Sequence, residues 1–423
     1  MPVLADIGLL ATCRSDGGQG AIHPVRDAAL AWEVDTIRWV GPEADLPRAF
    51  SGEERQSAGG RLVIPGLVDC HTHLAFGGWR ADEFAQRIEG ASYLDIARAG
   101  GGIASTMRHT RAASEDDLAD RAAAHLAAMR TLGVTTVEAK SGYGLTVEDE
   151  LKTLRAYRRL AESQPTRIVP TLLGAHIVPP EFETDRAGYV HLLTDTLIPQ
   201  VAAEDLARFC DAFVEETAFS PDEARTIFDA ARQHGLRPKL HADQLSDTGG
   251  AALAAEAGAV SADHLEHVSE AGIAALTEAG VVAVSLPLAT LYLNVRPLPA
   301  RALIDAGVAV AVATDFNPGS APSYHLPLAL MLACTVQRMT PAEALKGATV
   351  IASQAIKMDD AVGSLEAGKR ADFAVIDAPD VNHWLYHFRP NACLRTVIGG
   401  ETVWERRGDE GRGEHGERGG SEP

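Results

Sequence analysis

His71 and His73 stand two residues apart at the end of an apolar run, so on an extended chain both imidazoles point to the same side. Two neutral imidazoles so placed can hold one divalent ion. Alone, the pair does not establish this, because either ring could be a half-buried histidine with one hydrogen bond. Further groups of the same kind follow: His176 after GA, His241 in LHADQ, His264 in DHLEH, and Asp315 in TDFNPG. Taken singly each has a plainer reading, Asp315 as a cap that starts a loop or helix and His241 as a core histidine. Taken together, His71, His73, His241 and Asp315 offer three imidazoles and one carboxylate, which suits zinc, or iron or manganese at a borderline site, with water completing the shell. His191, His234, His325, His383 and His387 read as surface or packing residues.

Such groups meet only if the fold gathers them. Apolar strand-like runs occur at 63–70, 134–138, 167–174, 209–214, 238–242, 260–264, 281–286 and 308–315, and helical stretches lie between them at 114–132, 147–163, 221–234, 249–257, 269–279 and 300–306. In the helix at 114–132, Ser114 and Asp117 form a capping-box pattern and Gly133 stops it. Repeated βα units with near-continuous apolar strands imply a parallel sheet covered by helices, and eight of them fit a (β/α)8 TIM-like barrel better than an open doubly wound sheet. Neither GxGxxG after a strand nor GxxxxGK[ST] occurs, so no nucleotide-site motif supports the open sheet. In a barrel, catalytic groups sit where the C-terminal strand ends converge, and the polar groups above fall at such ends. The fourth run, 209–214, contains no lysine, which argues against a second metal bridged by a modified lysine from that strand.

Residues 1–62 carry short strand-like pieces, including 6–12 and 32–40, and strand texture returns after residue 355, at 371–376 and 396–403. The expected organisation is one small β-sandwich domain built from both termini (1–62 and 355–405) beside a catalytic barrel at 63–354. The stretch 406–423, rich in Gly, Arg and Glu, is expected to be a disordered tail.

Bulk properties narrow the partner. The chain has 423 residues, 46% of them hydrophobic, and Lys+Arg 38 against Asp+Glu 58 gives a net charge of −20. Such acidity disfavours nucleic acid and anionic membranes and favours a small-molecule partner. The scattered Cys13, Cys70, Cys210, Cys334 and Cys393 form no CxxC pair, so a reduced cytoplasm is expected, with no disulfide framework. No export signal or membrane-spanning run is read.

The HxH strand with His241, His264 and Asp315 resembles the metal-dependent amidohydrolase superfamily. The motifs HTHLAFGGWR (71–80), GASYLDI (90–96), GGGIAS (100–105), EAKSGYGL (138–145), GAHIVPP (174–180), HADQ (241–244), TDFNPGS (314–320) and GSLEAGKRAD (363–372) are similar, more narrowly, to the imidazolonepropionase family of histidine degradation. That resemblance implies a hydrolase that opens the ring amide of 4-imidazolone-5-propanoate to N-formimidoyl-L-glutamate. It implies one divalent or trivalent metal ion, zinc or iron, on His71, His73, His241 and Asp315, and catalytic roles for His264, Asp315 and Gln244. Gln244 stands where some members carry Glu. It further implies a substrate-binding set of Arg80, Tyr93, Tyr143, His176, Gln244, Asn317, Gly319 and Ser320, and a homodimer. Tyr143, between two glycines, is read either as part of a flexible lid or as a plain turn. Two other functions stay open: another amidohydrolase, such as a nucleobase or aminoimidazole deaminase, and a non-catalytic scaffold on the same barrel.

Overall fold

The computed structural model describes residues 1–50, 52–91 and 99–406. Eight parallel strands run in sequence order: β6 (Leu67–Asp69), β7 (Val134–Lys140), β8 (Arg167–Ala175), β9 (Phe209–Val214), β10 (Arg237–Ala242), β11 (Ser261–His264), β12 (Val282–Ser285) and β13 (Val310–Val312). Neighbours pair in parallel throughout. The ring is joined just beyond its first and last strands, where Asp315 N donates to His71 O at 3.0 Å and His73 N to Phe316 O at 2.8 Å. Below that seam, Asp69 accepts from Thr314 N at 3.0 Å and Thr314 Oγ1 at 2.6 Å. The expected (β/α)8 barrel is therefore present, and its seam passes through three of the candidate ligands, His71, His73 and Asp315.

Helices cover the outside, several started by the side chain that the sequence puts at the cap. Ser114 and Asp117 close a capping box on Glu115–Arg130, as do Ser220 and Glu223 on Pro221–Gln233. The box satisfies amides that the first helical turn leaves without partners.

The termini form a second sheet of eight strands. Seven run in the order β16 (Glu401–Glu405), β15 (Cys393–Ile398), β14 (Phe373–Ile376), β5 (Leu62–Pro65), β1 (Val3–Ala11), β2 (Pro24–Glu33) and β3 (Thr36–Pro42), and β4 (Arg55–Ser57) pairs with β1. Its side chains enclose a separate core of Leu4, Ile7, Leu30, Trp32, Ile37, Val63, Phe373 and Val397.

Three strand expectations change. The run read as one strand at 63–70 is two: β5 pairs with β1 and β14 in the terminal sheet, and β6 opens the barrel. The chain crosses between them at Gly66, where a Cβ would lie 2.3 Å from Thr135 Oγ1, so only glycine passes. Pro65, which donates no backbone hydrogen bond, ends the first piece. The strand read at 32–40 is a hairpin, because Glu33 pairs with Thr36 across a two-residue turn with Val34 at φ 57°. The strand read at 396–403 is likewise a hairpin, with Ile398 of β15 paired to Glu401 of β16 across Gly399 and Gly400.

Candidate active site

The barrel strands alternate, sending every second side chain inward. On β10 the inward pair is Lys239 and His241, and register places His241 beside Asp263 of β11 and Lys239 beside Asp211 of β9. The result is a charged layer in the barrel interior. Glu138, Lys140, Asp211, Lys239 and Asp263 all have 0% exposure. Lys140 Nζ lies 2.7 Å from Asp211 Oδ2, 3.0 Å from Glu138 Oε1 and 3.4 Å from Asp263 Oδ2. Lys239 Nζ lies 2.9 Å from Glu138 Oε1. Burial opposes the charge on Lys140, but the three carboxylates outweigh it and hold the ammonium well above its usual range.

Upon this layer stand the imidazoles. Asp263 Oδ2 holds His71 Nδ1 at 2.6 Å, and Asp211 holds His241 Nδ1 at 3.2 Å through Oδ1. Each carboxylate thus fixes one ring nitrogen and leaves Nε2 turned the other way, which is how ligand imidazoles are oriented elsewhere. Asp315 Oδ1 lies 3.3 Å from His71 Nε2 and 3.4 Å from His73 Nε2. His71, His73 and Asp315 form one triad, and His71, His241 and His264 a second, within each of which the potential ligand atoms lie no more than 4.8 Å apart.

Three features fit this cluster to a cation. His71 Nε2, His73 Nδ1 and His241 Nε2 are buried without a hydrogen-bond partner, a costly state for a polar atom unless something binds it. Glu138, Asp211, Asp263 and Asp315 face only two buried ammoniums, Lys140 and Lys239, a surplus of carboxylate that suits a cation. Burial and Lys140 depress the His71 imidazole, yet Asp263 and Asp315 reverse this and raise it to about 9. Asp315 behaves consistently: burial works against its charge, and the imidazoles of His71 and His73 beside it hold its carboxyl well below the usual range.

Most of the expected substrate side chains gather beside this cluster. The Arg80 guanidinium, oriented by Nε donation to Thr106 Oγ1 at 2.8 Å, lies against Gly319, where a Cβ would come within 2.4 Å of Nη1. Tyr143 is buried with its ring 5.6 Å from His73 and 5.4 Å from His176. His176 stacks on His73 at 5.5 Å, with Nδ1 2.9 Å from Gly142 O. Burial, with the nearby His73, pushes the His176 imidazole down to about 3, so the ring is neutral near pH 7. Gln244 is half-buried just after β10, with no hydrogen-bond partner among the described residues, and Glu215 ties down the amide of Leu245 at 2.7 Å. Tyr93 lies outside the described residues, as does the tail from 407 onward.

Two loops are held by their own hydrogen bonds. The glycine-flanked Tyr143 loop is no free lid, because Glu150 accepts from Gly142 N, Gly144 N and Leu145 N at 2.8–2.9 Å. Asn317 spends its amide on its own loop: Nδ2 donates to Asp315 O and Ser320 Oγ, and Oδ1 accepts from Gly319 N and Ser320 N. It shapes the loop that carries Gly319 and Ser320, and Ser320 Oγ reaches Asp315 Oδ2 at 3.4 Å.

Sequence reading passed over Glu138, Lys140, Asp211, Lys239, Asp263 and Glu266 as site residues. The available signal was charge at alternate positions within runs otherwise apolar enough to be buried.

The amidohydrolase family profile matches residues 62–403. Imidazolonepropionase of Cupriavidus necator is 51% identical over 366 residues, 86% of this chain and 88% of that one. The enzyme of that name from Geobacillus thermodenitrificans is 46% identical over 383 residues, 90% of each chain. The chain belongs to the imidazolonepropionase family. Among solved structures, 5-methylcytosine deaminase from Klebsiella pneumoniae superposes with a TM-score of 0.73 at 18% identity, covering 97% of this chain and 99% of that one. An atrazine chlorohydrolase from Arthrobacter aurescens, complexed with zinc and atraton, superposes at 0.69 with 18% identity, over 96% and 95%. Those two share the fold, whereas the imidazolonepropionases share about half of all aligned residues, which favours the imidazolonepropionase reading over the deaminase one. As a family member this chain is a hydrolase acting on a small molecule. Among the described residues no helix is long and apolar enough to cross a membrane.

Proposed function

We propose that this chain hydrolyses the ring amide of 4-imidazolone-5-propanoate to N-formimidoyl-L-glutamate, within histidine degradation. The observation that carries the assignment is Arg80, whose guanidinium sits on the loop that begins at Asp315 and whose charge bears on Tyr143 and His176. A planar guanidinium binds both oxygens of a carboxylate, and the propanoate supplies one. A carboxylate held there would leave the ring to face the His and Asp cluster.

His71, His73, His241 and Asp315 would hold one zinc or iron ion. When bound, such an ion lowers the pKa of water toward neutrality and polarises a carbonyl oxygen. His264 accepts the proton of the attacking water, since its ring stands 5.3 Å from that of His241 and 5.8 Å from that of His71. The water oxygen bonds to the carbonyl carbon, the carbon–nitrogen bond breaks, and the proton taken up at His264 passes, with Asp315 as its carrier, to the departing ring nitrogen. Gln244 donates to or accepts from the ring, and Tyr143 and His176 wall the pocket, the latter as a neutral hydrogen-bonding group. Tyr93 joins this binding set by family resemblance alone. Gly319 and Ser320 meet the amino-acid end of the product, on a loop whose shape Asn317 maintains.

The acidic chain and its five unpaired thiols support a cytoplasmic location without nucleic-acid partners. Homodimerisation rests on family resemblance. The decisive test offers purified protein freshly generated 4-imidazolone-5-propanoate and, separately, a panel of aminated heterocycles. Formation of N-formimidoyl-L-glutamate is expected. Ammonia release from the panel, with the imidazolone untouched, would return the deaminase reading.

A further inference from the structure

Glu266 lies two residues past His264, only 2% exposed, and nothing above uses it. Its Oε1 is 3.7 Å from His264 Nδ1 and accepts from Thr290 Oγ1 at 3.4 Å. Its Oε2 is buried without a partner, and so is His264 Nδ1. Two complementary orphan groups therefore face each other, one small side-chain rotation short of a hydrogen bond. Leaving either unmet in a closed interior is costly, so the arrangement is poised to satisfy both.

The backbone is bent to bring them there. His264 and Leu265 both occupy the left-handed region, at φ 78° and 67°. Neither residue adopts it without strain, which persists only where the surroundings impose it. Leu265 N donates to Ala242 O at 2.9 Å and His267 N to Asp243 O at 2.8 Å, pinning the turn to the end of β10. The turn folds Glu266 back beneath the ring it follows.

We propose that Glu266 is the positioning residue of His264: it accepts the Nδ1 proton, so that the other nitrogen, Nε2, carries the lone pair offered to the attacking water. The logic is that of a base oriented by a third group, here supplied by the same turn. The inference rests on the reading of His264 as proton acceptor, and its test separates the two.

Four metal-loaded proteins are compared: wild type, Glu266→Met, His264→Asn and the double variant, each with kcat, KM, metal content and melting temperature. Glu266→Met is expected to lower kcat about 100-fold, with KM and bound metal unchanged. Glu266→Gln, whose side-chain oxygen can still accept, is expected to recover most of that loss. In the His264→Asn background, Glu266→Met should cost nothing further. An additive loss there, or no difference between Gln and Met at 266, overturns the proposal while leaving His264 as base. Wild-type kcat in His264→Asn overturns both. Should Glu266→Met fail to fold, 15N shifts of the His264 ring in the wild-type holoenzyme decide it: a protonated Nδ1 is expected, and a protonated Nε2 contradicts it.

Discussion

The terminal sheet and the barrel bury their interiors to the same degree but fill them oppositely. Leu4, Ile7, Leu30, Trp32 and Phe373 pack the first, with Trp32 edge-on to Phe373 at 5.4 Å, while Glu138, Lys140, Asp211, Lys239 and Asp263 occupy the middle of the second. An apolar interior stabilises by removing surface from water, at roughly 25 cal/mol per Å². A buried ionic interior costs desolvation that its own attractions only partly offset, so stability alone does not explain it. The barrel's charged layer is explained by what stands on it: Asp211 and Asp263 orient His241 and His71, and Lys140 pairs with both carboxylates.

Breaking the charged layer should therefore be the costlier injury. Lys140→Met leaves three buried carboxylates short of a partner and is expected to lose about 3–5 kcal/mol of stability, read from denaturant unfolding. A loss below that of a single apolar truncation in the terminal sheet would dissolve the distinction between the two interiors. Next in size, Arg80→Gln spares both interiors and should act on binding: KM for 4-imidazolone-5-propanoate rises about 100-fold, or about 2.7 kcal/mol, with kcat little changed. An unchanged KM would remove Arg80 as the carboxylate partner.

In the apolar core, Ile37→Val deletes one buried methylene and should cost about 1 kcal/mol with kcat and metal content unaltered. A change in metal content would mean that the two interiors are coupled. An effect of similar size and opposite sign belongs to Val34, 83% exposed and β-branched at φ 57°. Val34→Asn, which tolerates that conformation, should stabilise by about 1 kcal/mol and raise the melting temperature slightly. A decrease would show that the hairpin needs valine for another reason.

The same contrast governs what could be read from sequence. The βα alternation of the barrel, the capping box at Ser114, and the strand-end histidines follow from local periodicity and residue type, and appear in the order expected. The crossing at Gly66 did not, because it is set by Thr135, distant in sequence. Nor did the hairpin at Val34, whose residue type argues against a turn. Asp211 and Asp263 were invisible as orienting groups, since only barrel register brings them beneath His241 and His71. For Tyr143 the sequence left two readings open, a lid and a plain turn. Flanking glycines suggested mobility, and Glu150, five residues beyond Leu145, removes it through three backbone hydrogen bonds.

The central claim is that the charged layer and its imidazoles exist to hold an ion that the reaction needs. The most direct measurement is turnover of 4-imidazolone-5-propanoate by protein of known metal content, before chelation, after chelation, and after return of zinc or iron. The account predicts about one ion per chain, loss of N-formimidoyl-L-glutamate formation with its removal, and recovery in proportion to its return. Full turnover by protein stripped of metal would contradict it.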